Sequence, residues 1–124
     1  MLRENRTYDE IKVGDVATVK RLLTANDLFV FAHASGNLNP LHLPQAGQEN
    51  STGIVAPSMW VGGLISSVLG NILPGAGTVY KSQTLRFLDR VRVGDELTVT
   101  VRVREKMAGN VVALDTTIIR QNGD

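Results

Sequence analysis

Two histidines, His33 and His42, are the only side chains in this 124-residue chain whose ordinary charge change lies near neutral pH, and no cysteine offers a nucleophile or thiolate ligand. Acid–base chemistry would therefore need an imidazole or a shifted carboxylate. His42 occupies the more suggestive place. It lies in Asn37-Leu38-Asn39-Pro40-Leu41-His42-Leu43-Pro44, where two asparagines and two prolines in eight residues rule out regular helix or strand. A stiff loop of this kind, held on a rigid scaffold, can preorganise Asn37, Asn39 and His42 as a polar site. The plainer alternative is that the asparagines bond their own backbone and His42 is a surface histidine, and residue types alone favour it. No metal is expected. The two histidines, nine residues apart without carboxylates at ligand spacing, make a poor site.

The elements that would position this loop can be read on either side of it. Before it, Val16 to Leu23 alternates in part as a strand does after a Gly14-Asp15 turn, and Thr24 with Asp27 three residues on reads as a capping box. A helix through Leu28–Ala32 should follow and end near Ser35-Gly36, where glycine supplies a left-handed stop. After the loop, Ala56–Leu73 carries apolar residues on every helical face, and no charged residue falls between Glu49 and Lys81. Such a helix must be enclosed. Its apolar run, broken by Gly62, Gly63, Ser66, Ser67 and Asn71, is too short for a bilayer span of roughly 20 residues, so protein rather than lipid is expected around it. Pro57 or Ser58 opens it and Leu73-Pro74-Gly75 closes it.

From Thr78 onward the pattern reads as sheet. Thr78–Val91 has the length of a long strand, and Gly94-Asp95 makes a turn. Leu97, Val99, Val101 and Val103 then alternate with polar residues, one face for the core and one for water. A connection over Lys106–Asn110 leads to a strand from Val111 to Arg120. The hairpin signal Asn122-Gly123 is followed by a single residue, which suggests that residues 1–124 form one module cut from a longer polypeptide. The sum is an α+β domain in which a curved antiparallel sheet wraps one long buried helix.

Composition narrows the functional classes. Thirteen basic residues nearly balance twelve acidic ones, so net charge points to neither nucleic acid nor a strongly anionic partner. The polar start MLRENRTYDEIK carries no secretory apolar core, and with no cysteine the default expectation is a cytoplasmic protein.

The loop and helix together resemble the MaoC-like dehydratase family, whose R-specific enoyl-CoA hydratases have the hotdog fold. The family motif runs approximately F-A-x-x-S-G-D-x-N-P-x-H, and this chain has Phe31-Ala32-His33-Ala34-Ser35-Gly36-Asn37-Leu38-Asn39-Pro40-Leu41-His42. The likeness continues through Gly62–Gly70, Leu73–Phe87 and Val93–Val103. It is especially close to modules fused in front of phosphate acetyltransferase-like domains, which implies a further C-terminal enzyme domain.

The resemblance implies hydration of trans-2-enoyl thioesters without a cofactor, on acyl-CoA or an acyl-carrier thioester, by a homodimer. His42 takes the family's catalytic histidine position. Asn37 takes the position of its aspartate, and an amide can orient a water but cannot accept its proton. At the start of the buried helix the family's A-H-G-M becomes Ala56-Pro57-Ser58-Met59, so the Ser58 N–H stands where the family polarises the thioester carbonyl. Asn39, Met59 and Ser66 are expected to line the substrate, with Trp60, Leu64, Phe31 and Leu38 offering an apolar tunnel. Ser66 can equally be a small residue that permits close helix packing. Asn37 and Pro57 leave a second reading, a degenerate module that binds acyl thioester or only dimerises. Thioester hydrolysis stands third.

Overall fold

A computed structural model describes residues 7–38 and 54–121. The alternating β-branched sequence after Gly94 forms the centre of the molecule. Strand β2 (Glu96–Met107) pairs antiparallel with β1 (Val16–Leu22) on one side and with β3 (Val111–Arg120) on the other. Leu97, Val99, Val101 and Val103 share one face of β2 and are 0–1 % exposed. Against that face lies the helix α2 (Ser58–Asn71), which buries Trp60, Leu64, Ile65, Val68 and Leu69 in the same core. Each such aliphatic side chain removed from water contributes about 1.5–3 kcal/mol, which is why sheet and helix fold as a unit.

The shorter helix α1 (Ala25–Ser35) begins as the sequence predicts. Thr24 Oγ1 accepts the Asp27 N–H at 3.2 Å while the Asp27 carboxylate accepts the Thr24 N–H at 3.0 Å. It ends at Gly36, whose φ of +77° is the left-handed conformation expected of a helix-stopping glycine. The main chain on either side of the sheet is tied together before α2 starts. Ala56 N–H donates to Val91 O at 2.7 Å and Val93 N–H to Ile54 O at 2.9 Å, so the approach to α2 is fixed against the approach to β2.

Two expectations change. The strand expected over Thr78–Val91 does not form: the segment has no strand pairing, and Val79 and Leu88 are more than four-fifths exposed. Thr78–Thr84 instead line, together with β3, a cleft of about 1150 Å³, and no ladder joins the two. Nor is α2 covered all round. Met59, Gly63, Ser66 and Gly70, at helical spacings of four, three and four, form a flank open to solvent. The hairpin signal Asn122-Gly123 lies outside the described residues.

Candidate active site

Two concavities distinguish themselves. The larger cleft, between β3 and Thr78–Thr84, contains none of the site residues expected from sequence. The smaller, about 210 Å³, opens at the head of α2 and is lined by Val55, Ala56, Ser58, Val61, Phe87, Asp89, Arg90 and Val91. Its chemistry comes from the helix end. The first main-chain hydrogen bonds of α2 run from the Trp60 and Val61 N–H groups to Pro57 O, at 3.0 and 3.4 Å. Among the described residues the Ser58 N–H meets no acceptor, and it sits at the positive end of the helix. Pro57, with φ −60° and ψ 137°, delivers the chain into the helix without an N–H of its own. A main-chain donor at a helix start beside the apolar Val61 and Phe87 suits a carbonyl oxygen that gains negative charge.

The heads of α1 and α2 are also coupled. Arg21, near the end of β1, donates to Asp27 Oδ1 at 2.8 Å and places its guanidinium 5.9 Å from the centre of the Trp60 ring. Asp27 belongs to the cap of α1 and Trp60 to the first turn of α2, so one side chain sets both helix starts against the sheet. A cation over an indole contributes about 0.5–1 kcal/mol at a partly exposed site.

Of the expected site residues that the structure describes, Ser58 is the one that lines this cavity. Asn37 follows the end of α1, exposed, with its N–H donating to Ser35 Oγ at 3.1 Å. Ser35 Oγ in turn donates to Phe31 O at 2.7 Å, so the turn is braced by its own helix. Asn37 is not among the described residues around Ser58. Met59 and Ser66 lie on the open flank of α2, and Ser66 is about 12 Å along the axis from Ser58 at 1.5 Å per residue. Neither lines the cavity. Asn39 and His42 lie outside the described residues.

The expected apolar tunnel is also redistributed. Trp60 and Leu64 belong to the core and Leu38 is exposed, whereas Phe87 and Val61 face the cavity. Sequence reasoning passed over Phe87 and Asp89. Their relevance depends on where the unpaired segment crosses the head of α2, and no spacing rule carries that information. Among the described residues no group of three histidine or carboxylate side chains stands close enough to hold a metal, and no helix is long and apolar enough to cross a membrane.

Known proteins resemble this chain in sequence and fold. The profile of the MaoC like domain matches residues 9–121. A 3-hydroxybutyryl-CoA dehydratase of Methylorubrum extorquens is 39 % identical over 109 residues, which span 85 % of this chain and 69 % of that protein. An (R)-specific enoyl-CoA hydratase of Rhodospirillum rubrum is 36 % identical over 98 residues, 77 % of this chain and 68 % of its own. Among solved structures, the unliganded R-hydratase PhaJ1 from Pseudomonas aeruginosa superposes with a TM-score of 0.87 at 38 % identity, covering 97 % of this chain and 79 % of that one. A match over nearly the whole chain, a shared hotdog fold and relatives well above 30 % identity lead to one conclusion: this chain belongs to the MaoC-like domain family.

Proposed function

We propose that the protein is an (R)-specific enoyl-CoA hydratase, a hydro-lyase that adds water across the double bond of a trans-2-enoyl thioester to give the (R)-3-hydroxyacyl thioester. The observation that carries this reading is the Ser58 N–H, which meets no acceptor among the described residues and belongs to a helix-start residue that lines a cavity of acyl-group size. Its chemistry follows from position. The thioester carbonyl oxygen accepts from Ser58 N–H, negative charge grows on that oxygen as water attacks C3, and the helix end stabilises the charge most where it is greatest. His42 is assigned the acid–base role, Asn37 the orientation of water, and Asn39 a substrate contact.

Two copies pairing along the open flank of α2 would bring Met59 and Ser66 to a shared boundary, the arrangement in which both could reach substrate. The small side chains at positions 63, 66 and 70 support such an approach. A cytoplasmic setting accords with the absence of cysteine.

One observation favours a second reading. Asn37 has no basic lone pair, so the module could hold acyl thioester without turning it over. The Asn37→Asp variant separates the two. On the hydratase reading it raises kcat for crotonyl-CoA by about 10²–10⁴, the usual worth of a positioned general base. No turnover in either the wild type or the variant, with acyl-CoA binding retained in calorimetry, would establish the binding module instead.

A further inference from the structure

The position that the family gives to a carboxylate holds an amide here, yet the cavity at the head of α2 contains a carboxylate of its own. We propose that Asp89 supplies the proton-accepting group that position 37 lacks, so that water is activated from the unpaired segment before β2 rather than from the loop after α1. The inference rests on the hydratase reading of the Ser58 cavity.

Three observations support it. Asp89 is the one carboxylate among the described residues lining that cavity, where it shares the walls with Ser58 and Phe87. Its orientation is fixed from two sides: Oδ2 accepts from Arg120 Nη2 at 2.7 Å, on the last residue of β3, and Oδ1 accepts from the Arg90 N–H at 2.7 Å. None of the other described aspartates lines the cavity. Asp27 caps α1, Asp95 accepts the Arg92 N–H at 2.8 Å, and Asp115 pairs with Arg104 at 3.1 Å. A carboxylate offers about four acceptor sites, so the two contacts leave each oxygen of Asp89 a free lone pair. With its side chain 53 % exposed, it stays open to water. The cavity, at about 30 Å³ per water, has room for a nucleophile beside a short acyl group.

The step balances within these groups. Water gives one proton to the Asp89 carboxylate as its oxygen bonds to C3. The π pair of the C2–C3 bond moves toward the thioester carbonyl, whose oxygen is held by the Ser58 N–H. The resulting carboxylic acid then returns the proton to C2, directly or by relay through the acid–base group assigned above, leaving the hydroxyacyl thioester and the carboxylate as it began.

The test measures crotonyl-CoA hydration by the full chain in two backgrounds. Asp89→Asn keeps an acceptor for Arg120 and removes the base, so kcat is expected to fall by about a hundredfold or more while KM stays within about threefold. In the Asn37→Asp background, where a carboxylate is present again, the same change is expected to cost less than about threefold in kcat. A purely structural Asp89 would cost the same in both backgrounds, and that result overturns the proposal, as does Asp89→Asn at wild-type kcat in the original chain. Asp89→Glu keeps the charge and shifts the oxygens by one methylene; kcat between wild type and Asp89→Asn is expected, and full wild-type kcat would count against a positioned base. Wild-type protein that hydrates nothing refutes the hydratase reading itself, whereas an active wild type insensitive to Asp89→Asn refutes this inference alone.

Discussion

Replacing Ser58 with proline deletes one main-chain N–H and little else. Ser58 is the first residue of α2, where an N–H has no intrahelical acceptor and where proline's fixed φ matches the helix. The residue before it must be extended, and Pro57 already has ψ 137°. The substitution should therefore leave stability unchanged or raise it by about 0.4–1 kcal/mol, through the stiffer unfolded chain. Catalysis should respond differently. Removing one donor from an oxyanion site costs about 10²–10³ in kcat, equivalent to about 2.7–4 kcal/mol of transition-state stabilisation. Thermal melting and initial rates of crotonyl-CoA hydration, measured on the same preparation, separate the two effects. Ser58→Ala, which loses the hydroxyl and keeps the N–H, is the matched control and should hold kcat within about threefold. A proline variant that melts as the wild type does and still turns over within about tenfold of it would refute the oxyanion role of this amide.

Two further substitutions test the scaffold. Leu97→Ala empties a fully buried position on the core face of β2 and should cost about 3–5 kcal/mol in urea denaturation; a loss below about 1 kcal/mol would place that face outside the core. Gly36→Ala introduces a side chain at φ +77° with nothing within 4 Å of the new Cβ, so its cost is backbone strain alone, about 1–2 kcal/mol by the same measurement. No destabilisation there would mean that α1 does not end in a left-handed residue.

What the sequence disclosed was whatever local chemistry decides. The strand Val111–Arg120 appears with the bounds its pattern implied, and Thr24, Asp27 and Gly36 begin and end α1 by the hydrogen bonds their residue types predict. The buried side of α2 was legible for the same reason, since Trp60, Leu64, Ile65, Val68 and Leu69 carry enough apolar surface to require a partner. Its open flank was not. Met59 is as apolar as its neighbours yet 61 % exposed, because coverage depends on which elements surround the helix rather than on the helix itself. Thr78–Val91 shows the same limit: length and apolar content suit a strand, but a strand also needs a neighbour to pair with, and no ladder joins this segment to β3. The site divides similarly. Proline and chain direction marked Ser58 as a helix start, while its assignment to the site came from the family resemblance. Asp89 enters through a crossing of the chain that no periodicity encodes.

What the protein does to crotonyl-CoA tests its hydratase function most directly. Purified protein, folded by circular dichroism, should consume the enoyl absorbance without added metal or cofactor, and chiral analysis should find (R)-3-hydroxybutyryl-CoA as the product. A folded protein that leaves the absorbance unchanged, or that yields the S product, would contradict it.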